Sequence, residues 1–386
     1  MSGLPWHRSP EPSPEQAPTS AERTSARPGR RALLTGAAAT AAALALAPAA
    51  GVRAAEQHAP RTRKARTLRV DPSGGAGVDA TTVQGAIDAA SSGDTITLAP
   101  GTYREIVTVP SSKTNLTLAS QSGQATDTVI VYNNSAGTTK PGGGTYGTSG
   151  SATVTVQADG FTARGITFAN DWLRKDHPGW SGTQAVAILV KGDRAAFLNC
   201  RFLGHQDTLY ADSASLSTFA RQYFKNCYVE GDVDFVFGRG TAVYDGCHFH
   251  TLVRTDLSGA PFGFVFAPST AVANPHGYLV INSTITSAAP AGYYKLARPW
   301  VPSSDTTARP MLTVRETDMD QGIDAKTPYA NMSDSYPWQN QRFAEYHNTG
   351  AGAQISVPAN RPQLTDSQAS QYTKAVYLGS WTPPSG

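Results

Sequence analysis

Beyond residue 67 the apolar positions fall in short runs bounded by Gly, Pro, Asn, Asp and Ser, the pattern of strands separated by turns. Such runs predict strands at Thr95–Leu98, Leu116–Leu118, Val129–Val131, Thr153–Val156, Gly165–Phe168, Ala185–Val190, Ala196–Phe202, Tyr223–Val229, Ala242–Phe249, Tyr278–Ile285 and Met311–Val314. The clearest helical spacing is in Thr81–Ala90, where Val83, Ala86, Ile87 and Ala90 share one face. Strands this short and this numerous fit a sandwich, a barrel or a solenoid.

Internal similarity selects the solenoid. Phe197-Leu198-Asn199-Cys200-Arg201-Phe202-Leu203-Gly204 matches Phe224-Lys225-Asn226-Cys227-Tyr228-Val229-Glu230-Gly231, and Val243-Tyr244-Asp245-Gly246-Cys247-His248-Phe249 echoes both. A repeat of variable period carrying one strand pattern predicts an all-β fold, a right-handed parallel β-helix (single-stranded solenoid) whose coils bury their apolar faces on one another. The helix near Thr81 then caps the open N-terminal end. Cys200, Cys227 and Cys247 occupy equivalent points in successive coils, where neighbours lie about 5 Å apart, close enough to consider a disulfide. The favoured expectation is Cys227–Cys247 with Cys200 free; the alternative is three buried thiols. No Cys-x-x-Cys or His-x-x-x-His pair marks a zinc site, and no cofactor is implied.

Composition narrows the class further. The 386 residues include 36 Gly, 26 Pro and only 16% charged residues, which excludes a coiled coil, a collagen and a polyelectrolyte. The net charge of +3 invites a nucleic-acid or membrane reading, but its location removes that reading. Residues 1–66 hold ten basic against four acidic side chains, and the remainder is net acidic by three. Within that front segment, Arg30-Arg31 precedes a nearly uncharged Ala/Leu run from Gly36 to Val52, which resembles a twin-arginine (Tat) export signal; the alternative is a transmembrane anchor, for which this Ala-rich run, interrupted by Pro48, is marginal against the ~20 residues a span needs. The expected organisation is a removable signal region at 1–55, a basic linker at 56–66 and a β-helix domain at 67–386. A secreted, monomeric protein is expected, with no nucleic-acid partner and no membrane association once the leader is gone.

The candidate chemistry sits seven residues after two of the cysteines, at Asp207 and Asp234. If the coils stack in register, the two carboxyls lie one strand spacing apart, about 4.8 Å. Two carboxyls that close cannot both ionise easily, so one pKa rises and an acid stands beside a base. Asp232 reads as an ordinary turn aspartate.

At this point the chain resembles the pectin methylesterases from about Val70 to Trp381. The matching blocks are Gly101-Thr102-Tyr103-Arg104-Glu105, Tyr146-Gly147-Thr148-Ser149, Gln184-Ala185-Val186-Ala187, Gln206-Asp207-Thr208-Leu209-Tyr210, Asp234-Phe235-Val236-Phe237-Gly238 and Leu296-Ala297-Arg298-Pro299-Trp300. The resemblance implies a parallel β-helix that removes methyl groups from polygalacturonate (pectin). It implies Asp234 as nucleophile, Asp207 as general acid and later base, Gln184 and Gln206 as oxyanion donors, and Arg298 as the partner of Asp234. Substrate contacts are implied at Thr148, Tyr210, Phe237, Arg254, Trp300 and Met332, with Arg254, seven residues after Cys247, continuing the acid column. The chain departs from the family pattern at Ala297, in place of Gly, at His205 before Gln206, and in a longer segment Ala211–Arg221. A retaining glycoside hydrolase on the same fold also needs two carboxyls about 5–5.5 Å apart. The two amides and Arg298 separate the readings, because they suit an oxyanion and not an oxocarbenium-like transition state. A calcium-dependent lyase lacks its acidic ligand cluster, and a non-catalytic adhesin has no use for paired acids.

Overall fold

The computed structural model describes residues 63–385, so the expected signal region lies outside the described residues, as does most of the basic linker. The chain winds as a right-handed parallel β-helix with three faces, a ten-stranded, an eight-stranded and a seven-stranded sheet, each strand pairing parallel with its equivalent one coil away. One coil illustrates the path: Ala195–Leu198 on the first face, Arg201–Leu203 on the second, Leu209–Ala211 on the third, then Arg221–Lys225 back on the first.

Stacking in register makes the core. Phe197 pairs with Phe224 and Phe224 with Tyr244 across three coils. Their rings stack face to face with centroids 5.0 and 4.8 Å apart, the spacing of the strands themselves. Phe168 and Phe202 stack the same way on the adjoining face at 5.7 Å. The sheet register therefore also sets the aromatic packing.

Several predicted long strands are each two strands around a corner. Ala196–Phe202, Tyr223–Val229, Ala242–Phe249 and Tyr278–Ile285 are interrupted at Asn199, Asn226, Gly246 and Asn282, whose φ values are 53°, 51°, 65° and 50°. Asn and Gly tolerate this left-handed conformation, which turns the chain from one face to the next. The ladder continues through the corner: the Asn199 N–H donates to Lys225 C=O at 2.9 Å and the Asn226 N–H to Asp245 C=O at 3.0 Å.

The residue after each corner points inward, which is where Cys200, Cys227 and Cys247 lie. All three are buried free thiols, so the expected Cys227–Cys247 bridge is absent. In-register parallel neighbours sit about 4.8 Å apart, wider than the roughly 3.8 Å between Cβ atoms that a disulfide needs. Each thiol instead donates to a main-chain carbonyl, Cys227 to Phe197 at 3.3 Å and Cys247 to Phe224 at 3.4 Å.

The capping helix spans Val83–Ala89, with Thr82 as its N-cap accepting from the Gly85 N–H. Val83, Ala86 and Ile87 close the end of the core. The Glu105 carboxylate accepts from the Val83 and Gln84 N–H groups at 2.8 and 3.0 Å, placing negative charge at the helix N-terminus. At the other end of the chain the short helix Lys374–Leu378 folds back over the ten-stranded sheet, where Tyr377 and Leu378 cover Leu198, Tyr223, Val243 and Leu279.

The corner chemistry predicts a contrast at Asn199, an exposed position. Asn199→Gly should leave the urea unfolding midpoint almost unchanged, whereas Asn199→Val should cost about 1–2 kcal/mol, because a β-branched residue resists positive φ.

Candidate active site

The seven-stranded face carries the acids. Leu209 pairs with Val236 and Tyr210 with Phe237, and the same offset sets Asp207 against Asp234. The Asp207 N–H donates to Val233 C=O at 3.0 Å, which extends the ladder to the acids. Both aspartates adopt left-handed backbone conformations, φ 65° and 50°. Such strain gathers at functional sites, and Asp is among the few non-glycine residues that accept it. A bulge on the far side of Asp234 adds to this local distortion: Val233 pairs with Phe264 and Val236 with Phe266, so two residues face Val265 alone. Gly238 ends the strand at φ 122°, where a Cβ would meet the Ala211 carbonyl, which accounts for the glycine in Asp234-Phe235-Val236-Phe237-Gly238.

The two carboxyls are buried, at 7% and 6% exposure, but their partners differ. Arg298 grips Asp234 in bidentate fashion, Nε to Oδ1 at 2.8 Å and Nη2 to Oδ2 at 2.6 Å. The guanidinium lies over the Phe264 ring, 4.0 Å from its centroid. Ala297, just before it, ends the strand Tyr294–Ala297 without positive φ, so the substitution of Ala for Gly carries no backbone strain. Asp207 has no such clamp. Burial and the nearby charge of Asp234 push its pKa well above the usual carboxyl range, against a smaller opposing pull from Arg298. The structure thus sets an unclamped acid of raised pKa beside one held by an arginine.

Gln206 precedes Asp207 and is half-buried. Its Oε1 accepts from the Thr183 hydroxyl at 2.6 Å and from Arg174 Nη2 at 3.4 Å, which leaves its NH2 group as the outward donor. Gln184 lies one coil earlier, next to Ala185, whose N–H donates to the Gln206 carbonyl. Tyr210 and Phe237 stack at 4.0 Å, and Trp300 meets both at 6.1 and 5.8 Å. Met332 packs on the same cluster with Ala152 and Val186. Thr148 sits in a single helical turn, Gly147–Gly150, in the loop before the strand Val154–Val156.

Two expectations need correction. Arg254 does not continue the acid column: the chain leaves the face as a loop after Thr251 and returns at Gly263, so Val265 takes the next place. Arg254 lies in that loop with its guanidinium held by Asp256 at 2.6–2.7 Å. Asp232 is no ordinary turn residue either. It is 1% exposed, and its Oδ2 lies 3.3 Å from His205 Nδ1 and Arg174 Nη1 and 3.9 Å from Arg254 Nε. Burial raises its pKa, but the His205 hydrogen bond and the charges of Arg174 and Arg254 outweigh that and hold it below the usual range. Arg174, Thr183 and this role of Asp232 carry no sequence signal of their own. Among the described residues no group of three His, Cys, Asp or Glu side chains could hold a metal ion.

The raised Asp207 pKa has a consequence for stability. The folded protein holds this proton to higher pH than the unfolded chain, so the stabilisation is complete below the ordinary carboxyl pKa and is lost as pH rises through the folded value. Asp207→Asn should flatten that fall and raise the urea midpoint on its alkaline side. An unaltered pH profile of the midpoint would show that Asp207 titrates normally.

Residues 71–380 match the family model "Pectinesterase". A pectinesterase of Ralstonia solanacearum is 37% identical over 306 residues, covering 70% of this chain and 76% of that protein. Pectinesterase A of Dickeya chrysanthemi is 35% identical over 332 residues, 78% of this chain and 87% of its own. Among solved structures, pectin methylesterase PemA from Erwinia chrysanthemi superposes with a TM-score of 0.73 at 32% identity, covering 82% of this chain and 98% of that one. A pectin methylesterase in complex with a hexasaccharide gives 0.72, also at 32% identity, with 83% and 98% covered. A parallel β-helix with paired acids on one face, matched over this much of its length, belongs to the pectinesterase family.

Proposed function

We propose that the chain hydrolyses the methyl esters of polygalacturonate, releasing methanol and leaving pectate. The observation that carries this reading is the asymmetry of the acid pair: Asp234 is clamped by Arg298, while Asp207 is buried with a raised pKa. Each Asp234 oxygen spends one lone pair on Arg298 and keeps another for attack on the ester carbonyl. The resulting oxyanion accepts hydrogen bonds from the Gln206 and Gln184 carboxamides. As the intermediate collapses, Asp207 gives its proton to the departing methoxide, and methanol leaves an anhydride between Asp234 and the sugar. Asp207, now ionised, takes a proton from water, whose oxygen attacks the same carbonyl carbon. Collapse of the second intermediate restores the Asp234 carboxylate and frees the galacturonic acid, with Asp207 protonated again.

Tyr210, Phe237, Trp300 and Met332 offer an apolar wall beside the acids, suited to the face of a sugar ring. Thr148 offers a hydroxyl from a neighbouring loop, and Arg254 a cation for a free carboxylate. The hexasaccharide bound to a similar pectin methylesterase supports a polymeric substrate. Residues 1–55 fit a Tat-type export leader, and the family match beginning at residue 71 agrees with a mature chain that starts shortly before it.

Purified enzyme should release methanol, without new reducing ends, from highly methylated pectin. Asp234→Ala should abolish this release with the fold intact, and Gln206→Ala should lower kcat by roughly 10²-fold, the scale of one lost oxyanion donor. Reducing ends without methanol would point to the glycosidase reading. For export, the N-terminus of protein recovered from culture medium should fall between Pro48 and Thr67, and Arg30→Lys with Arg31→Lys should retain the protein in the cell.

A further inference from the structure

Arg174 and Thr183 take no part in the chemistry above, yet both bond to Gln206. They sit on the connection between the strands Thr167–Asn170 and Ile188–Val190. Thr183 Oγ1 donates to Gln206 Oε1 at 2.6 Å, and Arg174 Nη2 approaches the same oxygen at 3.4 Å. The other fork of Arg174, Nη1, reaches Asp232 Oδ2 at 3.3 Å. Asp232 is itself pinned, with Oδ1 accepting from the Val233 N–H at 2.7 Å.

A carboxamide is nearly symmetric in shape, and a half-turn would aim its oxygen, not its NH2, at a developing oxyanion. A guanidinium carries donors only, so it donates to the Gln206 oxygen and rejects the flipped amide. A cation on the carbonyl oxygen also draws electron density from the amide and strengthens its N–H donors. We infer that Arg174, clamped by the buried Asp232, is a positioning residue that acts with Thr183 to hold and polarise the Gln206 carboxamide, so that its NH2 faces the oxyanion. This inference rests on the reading of Gln206 as an oxyanion donor.

The test is steady-state methanol release by the purified mature enzyme on methylated oligogalacturonate. Arg174→Lys keeps a charge that reaches Asp232 but loses the fork, and kcat should fall about tenfold with KM nearly unchanged. Thr183→Val removes one donor without touching Asp232, which keeps the test decisive should the Arg174 variant fold poorly; its kcat should fall several-fold. In a Gln206→Ala background neither change should cost anything further, because the group they position is gone. Losses that multiply with Gln206→Ala, or a rise in KM at full kcat, would overturn the positioning role. If Gln206→Ala is slow while Arg174→Lys and Thr183→Val run at full speed, the positioning role alone fails. A fully active Gln206→Ala enzyme would instead remove the oxyanion reading beneath it.

Discussion

The distance between adjacent parallel strands, about 4.8 Å, governs both the core and the chemistry of this protein. Stacked coil on coil, it brings Phe197, Phe224 and Tyr244 into face-to-face contact. Carried to the third face, it sets Asp207 against Asp234. At that separation two carboxylates repel strongly in a buried setting, and the fold answers with one cation for two acids. Arg298 is committed to Asp234 through two hydrogen bonds, and Asp207, left without a clamp, has its pKa pushed well up by burial and by the charge of Asp234. Coil stacking thus supplies the proximity, and a residue from a more distant coil breaks the equivalence.

The distortions of the regular helix are concentrated where they serve the site. Left-handed backbone at the corners between the first two faces falls largely to Asn and Gly, which accept it at small cost. The same conformation at both acids, with a bulge immediately beyond Asp234, aims the two carboxyls off the ordinary alternation of a strand. Loops that leave the faces between strands then surround the acids with side chains the helical repeat could not deliver. Arg174 and Thr183 arrive this way.

How much of this could be read from the chain follows from the same division. The repeat Phe-x-Asn-Cys made the coils legible, because every coil must bury the same face, and the register of Asp207 and Asp234 followed from it. The corner at Asn199 was not legible as a break, since the apolar pattern runs straight through it while the backbone turns. The extrapolation to Arg254 failed because it assumed an unbroken repeat, whereas the chain loops out between Thr251 and Gly263 and Val265 takes the column position. Asp232 was misread for a related reason. Its partners Arg174 and Arg254 come from irregular loops distant in sequence, and nothing in their local spacing announces that they converge.

The unbridged thiols of Cys200, Cys227 and Cys247 have a bearing on where the chain can mature. Every described contact that closes the core is non-covalent, so complete folding needs no oxidant. A reducing cytosol is then as good a folding vessel as any oxidising space outside it. The twin-arginine route proposed for the leader would carry cargo already folded, and a protein with no cross-link to await could be finished before it leaves.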